Sequence, residues 1–190
     1  MTITSNNVAN QAIMLIGDNQ PLVTGYAPNF DNSAAGIALS KIYIPAVRTV
    51  MRQFAWDFAR NTQALTLSGN PAPWPWAYEY VYPAYAVQVL QVMPPTLADP
   101  FDPLPEQWSV GNDEVDGTQT KVIWSNTANA QVVCNNVPTE SLWDPLFHEA
   151  VVRLIASELA LAIAAKPDTA QVLIQSGGAF ENLGESRKDV

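Results

Sequence analysis

From Ser141 to Ile163 the chain carries a run that reads as one long helix with almost no polar side. Asp144 can cap the free amides of a first turn, and Pro145 fits the first helical position, where its missing N–H removes nothing. Beyond it only Glu149, Arg153 and Ser157 recur at four-residue spacing, with His148 and Glu158 beside them. The solvated stripe is narrow, so the helix must be covered on most sides. A chain of 190 residues offers few other helices to do that, and the missing cover is expected from a neighbouring subunit. Phe147, Val151, Leu154 and Ile155, with the charges of Glu149 and Arg153, are the expected interface between copies.

The charge pattern narrows the partners. Charged residues are 14% of the chain, well below the roughly 25% of ordinary domains. With 15 prolines and six tryptophans, that composition points to surface used for protein contact. The net charge is −9, and the nine Lys and Arg residues form no cluster, so the basic footprint of a nucleic-acid binder is missing. An acidic surface repels phosphate and suits a passage through which DNA slides without sticking. It also simply keeps a protein soluble.

The lone Cys134 lies in the strand-like run Ala130-Gln-Val-Val-Cys134, reads as core filler, and excludes an intrachain disulfide. Met1–Asn7 has neither a basic start nor an apolar core, so no secretory signal is expected. No uninterrupted apolar stretch reaches membrane-spanning length, since Ile155–Ala165 is short and carries Glu158. The expectation is a protein made in the cytosol with no membrane partner.

The pattern predicts an α+β fold, a bundle of three to four helices with a small antiparallel β lobe inserted before the last long helix. Residues 1–60 are the first part of the helical core. Ser5 is a candidate cap for a helix ending at Gly17, and Asp31-Asn-Ser33 for a second running to about Ala59. Ile37, Ile42, Ala46, Val50, Met51, Phe54 and Phe58 are its apolar face, and Pro45 should kink or split it. Pro21, Gly25 and Pro28 between the two helices read as a loop. Residues 61–138 are the β-rich insert, with strands expected at Asn61–Leu67, Tyr78–Tyr82, Val87–Val92, Trp108–Val110, Thr120–Trp124 and Ala130–Cys134. Residues 139–166 hold the long helix. The tail, 167–190, restarts a short helix at Thr169–Gln175, which Gly177-Gly178 should break or loosen, and keeps Phe180 and Leu183 among charges.

Catalytic constellations are nearly missing, and the expectation is no enzyme. The one histidine, His148, stands without a nucleophile elbow. One His and one Cys make no zinc site, no metal or cofactor is expected, and Asp113, Glu114 and Asp116 read as a solvated hairpin end. Glu79 and Glu106 are the only acid–base pair worth naming, and sequence does not bring them together. Trp74, Trp76, Tyr78, Tyr80, Tyr82 and Tyr85 form an aromatic group. It serves either as packing of the β core from both faces or, in the alternative reading, as an aromatic-lined β module binding a saccharide.

Three segments in order carry a resemblance. They are Tyr43-Ile-Pro-Ala-Val-Arg48 with Phe54-Ala-Trp-Asp-Phe-Ala-Arg60, then Trp76-Ala-Tyr-Glu-Tyr-Val-Tyr-Pro-Ala-Tyr-Ala-Val-Gln-Val-Leu-Gln-Val92, then the helix opening at Asp144-Pro-Leu-Phe147. Over residues 5–175 the arrangement resembles the head–tail adaptor (connector) proteins of tailed bacteriophages, including the tail tubular protein A group. Where those often read Leu-Pro-Ala-Asp-Cys, this chain has Tyr82-Pro-Ala-Tyr-Ala86. The resemblance implies a structural virion protein in the neck between capsid and tail. It implies a homo-oligomeric ring, typically of twelve copies, seated under the portal protein. The ring would extend the DNA channel, with DNA passing but not bound, and hold a downstream tail or nozzle protein. Val172, Leu173, Phe180 and Leu183 are then the candidate portal-docking residues.

Overall fold

Thr4, one residue earlier than expected, caps the first helix. In the computed structural model, which describes residues 3–17, 22–95, 106–163 and 167–178, α1 spans Ser5–Leu15. The Thr4 hydroxyl accepts from Asn7 N–H, and Asn7 Oδ1 accepts the Thr4 N–H at 3.1 Å. This is a reciprocal capping box with Asn in place of the usual Glu or Gln. Ser5 is buried instead, and its Oγ accepts the Ala27 N–H at 3.1 Å. The polar side of α1 is used as well: Asn6 Nδ2 donates to Val23 O and Gly25 O, and Asn10 pairs with both backbone groups of Val23. The segment expected as a loop is thereby held as a small hairpin, β1 (Gly25–Tyr26) against β2 (Asn29–Phe30). Strands of two residues leave no periodicity to read.

α2 spans Ala34–Gln53, capped by Ser33 Oγ on Gly36 N–H at 3.0 Å. Asp31 braces the cap by accepting from Ser33 and from the Thr24 N–H at 2.6 Å and hydroxyl at 3.1 Å. The hydrogen bond from the Ser33 side chain, with those from the Thr24 and Ser33 backbone, lowers the Asp31 pKa from 3.8 to about 2. A carboxyl whose pKa is depressed by folding stabilises above its unfolded pKa and loses that contribution as pH falls through the folded value. Asp31→Asn is therefore expected to flatten the acid limb of the stability profile between pH 3.8 and about 2. Thermal melts of both proteins across that window would check it, and parallel curves would refute it.

Pro45 neither splits nor ends α2, which runs as one helix through it. The ring sits on the exposed side and removes one backbone hydrogen bond, while Leu39, Tyr43, Ala46, Val47, Val50 and Met51 are buried on the other. That burial outweighs the lost bond. The helix stops at Gln53, short of Ala59, because Phe54 is already extended. Ile37 is exposed, so the apolar face runs through Leu39 and Tyr43 rather than through it. At 20 residues α2 has the length and apolarity to cross a membrane. Its buried face packs on α3, however, and Lys41, Arg48 and Arg52 are exposed opposite, as on a core helix.

α3 spans Pro145–Ala162, with Asp144 accepting the Leu146 N–H at 2.8 Å. α4 spans Pro167–Gly178 and ends on the glycine pair expected to break or loosen it. α3 is the hub of the helical unit (residues 1–54 and 138–190), packed by α1, α2 and α4 alike. Tyr43 on α2 donates its hydroxyl to Glu140 Oε1 at 3.1 Å. Burial, with Glu140 beside it, pushes its pKa up. Phe147 meets Trp143 edge to face at 4.9 Å between centroids, and Trp143 Nε1 donates to Pro138 O.

The second unit, residues 55–137, consists of two three-stranded antiparallel sheets. β3 (Arg60–Ala64), β8 (Gln131–Asn135) and β5 (Gln88–Met93) form one in the order β3-β8-β5. β4 (Tyr78–Val81), β7 (Thr118–Ser125) and β6 (Trp108–Val115) form the other in the order β4-β7-β6. One buried cluster draws on both sheets: Tyr80 and Ile123 from the second, Val89, Val92, Val132 and Cys134 from the first. The chain after β3 switches sheets. Leu65 N–H still donates to Ala130 O, while Val81 N–H donates to Thr66 O and Leu67 bridges Tyr80. Leu67 is exposed as a result, not core-facing as its pattern predicts. The β6–β7 hairpin turns at Asp116-Gly117, both at positive φ, as the two-residue turn requires.

Candidate functional site

The expected interface on α3 divides in two. Phe147, Val151 and Ile155 are fully buried within the chain, so they cannot face another copy. The cover assigned to a neighbouring subunit is supplied by α1, α2 and α4. Sequence periodicity shows that a helix needs cover but not which elements provide it. Leu154 is half-buried and lies on the side of α3 that stays open, with Leu146, Ala150 and Leu161 at helical spacing. Glu149 and Arg153 flank this stripe and are already paired: Arg153 Nη2 and Nε reach Glu149 Oε1 at 2.6 and 3.1 Å. Any contact to that edge meets a pre-organised ion pair, not two loose charges.

Between α1 and the start of α3 runs an open groove of about 460 Å³, lined by Gln11, Met14, Leu15, Pro145, His148, Glu149, Val152 and Arg153. Met14 is 61% exposed there, an unusual investment of apolar surface for the end of a short helix. His148 Nε2 is buried and has no hydrogen-bond partner among the described residues. Burial lowers the imidazole pKa, against an upward pull from Glu149. Of the candidate docking residues, Val172 is 63% exposed and Leu173 is buried, which removes Leu173 from any contact surface. Phe180 and Leu183 lie outside the described residues.

The third feature is the loop 68–76. It leaves beside β4, with Ser68 N–H on Glu79 O, and reaches the far strand β6, where Asn70 Nδ2 donates to Glu114 O at 2.8 Å and Asp113 Oδ2 at 3.3 Å. It therefore links the two outer strands of the sheet, in which Glu79, Trp124 and Ser109 lie side by side on paired strands. Glu79 is buried: Oε2 accepts the Trp124 indole N–H at 2.8 Å, and Oε1 has no partner among the described residues. Alternation places Glu79 opposite the tyrosines, and nothing in the pattern announces its burial. Glu106 has a different partner, the Thr127 hydroxyl at 2.9 Å.

The aromatic group is not one platform. Tyr80 is buried and Tyr78 and Tyr82 pack against the same core cluster, all from one face. Trp74, between Pro73 and Pro75 at the loop tip, is 93% exposed. Its loop is pinned on both sides, by Asn70 before it and by Ala77 N–H on Asn126 Oδ1 after it. A large indole held out on a braced loop is the form that interface anchors take. Cys134 is buried in the core, and burial raises its thiol pKa, so it is poorly reactive. Among the described residues, no three His, Cys, Asp or Glu side chains are grouped to hold a metal.

No protein-family model and no curated protein matches the chain.

Chemically, these surfaces can bury apolar area and form charge-assisted contacts. They present an open helix stripe, an apolar groove and a rigid tryptophan.

Proposed function

We propose that this protein is a structural head-to-tail adaptor of a tailed bacteriophage. It forms a ring of about twelve copies under the portal, a number taken from the resemblance and consistent with closed cyclic assembly. The ring extends the DNA channel and offers the attachment site for a downstream tail protein. The observation that carries the reading is the topology, an antiparallel β lobe entering between α2 and the hub helix α3. That is the organisation the resemblance implies. The open Leu146–Leu161 stripe and Trp74 supply contact surface. The net charge of −9 disfavours DNA sticking wherever it faces the channel.

The test is native mass of the purified protein, alone and with the portal protein of the same source. A portal-bound complex of about twelve chains is expected; a monomer in both samples would refute the proposal. Trp74→Ala separates it from the saccharide reading, which the exposed indole alone favours. Because Trp74 makes no packing contact worth protecting, its loss should leave the melting temperature unchanged. As an assembly anchor its truncation should weaken partner binding by about 2 kcal/mol or more, roughly 30-fold in affinity. Full assembly of the variant together with lost glycan binding would favour the saccharide module.

A further inference from the structure

The sheet β4-β7-β6 has two outer strands, and only one of them is closed off. β4 is joined on its outer side by the chain just before it, where Val81 N–H donates to Thr66 O, Ser68 N–H donates to Glu79 O and Leu67 bridges Tyr80. β6 pairs with β7 alone among the described residues, from Trp108↔Ser125 to Val115↔Thr118, with no register shift. The two-residue turn at Asp116-Gly117 decides which backbone groups that pairing uses. It makes Val115 and Thr118 a hydrogen-bonded pair, so by alternation Asp113, Gly111 and Ser109 also bond to β7. The backbone groups of Trp108, Val110, Asn112 and Glu114 therefore point outward, about 6.8 Å apart. Glu114 bears out this parity. Its N–H donates to Asp113 Oδ1 at 2.8 Å and its carbonyl accepts from Asn70 Nδ2 at 2.8 Å, so side chains close the edge at that end. Val110 and Asn112 have no such cap among the described residues.

Outward N–H and C=O groups on an unbulged edge are what an added extended backbone completes. The side chains limit which backbone fits. Val110 is 43% exposed and shares its face with Trp108, which packs against the buried cluster of the lobe. At the other end the exposed Glu114 has no ion pair among the described residues, and Asp113 and Asp116 beside it add like charge. The nearby Lys121, opposite Asn112, holds its Nζ 5.4 Å from the centroid of the Tyr82 ring. We propose that the β6 edge from Trp108 to Asn112 binds an extended segment of another protein by antiparallel strand addition. That segment places apolar residues against Trp108 and Val110 and a Lys or Arg against Glu114. A second copy of β6 does not meet this need: paired antiparallel about Gly111 it sets Glu114 against Trp108, and the strand holds no Lys or Arg. The inference stands on the β lobe alone and does not depend on the adaptor reading. On that reading the segment belongs to the downstream tail protein.

The full-length protein and the synthetic peptide Lys-Thr-Thr-Thr-Val-Thr-Val test this. Laid antiparallel, the peptide sets its Lys against Glu114 and its two Val against Val110 and Trp108. In NMR spectra, the amide protons of Val110 and Asn112 should exchange several-fold more slowly with the peptide than without it. N-methylation of the third and fifth peptide residues removes the donors that face Asn112 and Val110, and should weaken binding about tenfold or more. N-methylation of the fourth and sixth, whose N–H groups point away from β6, should change it little. Glu114→Lys should weaken binding several-fold at low salt and less at high salt. No protection of Val110 and Asn112 at millimolar peptide, equal affinity of the two methylated peptides, or unchanged binding to Glu114→Lys would overturn the proposal. So would protection of those amides without peptide that grows with protein concentration, which assigns the edge to a second copy.

Discussion

Ile155→Asp is expected to unfold the helical unit, whereas Leu154→Asp should fold normally and fail only in assembly. The two positions are neighbours on α3 and would be interchangeable if the helix were covered by another subunit. Ile155 is instead fully buried among the chain's own helices. Placing a carboxylate there removes about 2–5 kcal/mol of side-chain burial and adds several kcal/mol for an unpaired buried charge. Against a total stability of about 5–15 kcal/mol, that is enough to lose the fold. Leu154 is half-buried on the open stripe, where a carboxylate stays hydrated and disturbs only what docks on it. Circular dichroism melts and native mass separate the outcomes. A folded Ile155→Asp protein would contradict the packing described above. A Leu154→Asp protein that still forms the full ring would remove this stripe from the interface.

Gly111→Ala is expected to lower the stability of the β lobe by about 2–3 kcal/mol, a large effect for one methyl group. The Trp124 indole lies directly over Gly111, and a Cβ there would overlap its six-membered ring. That ring is not free to swing aside, because its N–H donates to Glu79 Oε2 in a buried site where Oε1 has no partner among the described residues. Moving the indole therefore strands a buried polar side chain, and an unsatisfied buried polar group is what makes the substitution costly. Urea unfolding would measure the loss. Replacing Glu79 by Leu in the Gly111→Ala background removes the stranded group, so the two changes should couple by at least about 1 kcal/mol. Strict additivity would show that the cost is steric alone.

The segments most readable from sequence are those whose signal is local. Asp144 and Pro145 mark the start of α3, Ser33 that of α2, and Asp116-Gly117 the β6–β7 turn, because caps and two-residue turns depend on backbone groups within a few residues. The α+β class followed from helical spacing giving way to alternation after Arg60. The expected cap of α1, Ser5, was one residue late, since Ser and Thr both cap well and the contact of Ser5 with Ala27 leaves Thr4 as the cap. Pro45 does not split α2 because its cost is local, while the burial that overrides it comes from residues far away in sequence.

The contact surfaces were legible only as quantities of apolar residue, not as places. The long helix demanded cover, and the chain's own helices pack on it. Which side chains stayed open was settled by α1, α2 and α4 closing on α3, which buried Phe147, Val151 and Ile155 and left Leu154 of the expected face open beside Leu146 and Leu161. Trp74 and Tyr80 look alike in a count of aromatics. One stands in solvent and the other is buried because a strand's alternation says nothing about a loop. Local hydrogen bonding wrote the elements into the chain; burial, a property of residues distant in sequence, was decided when those elements packed.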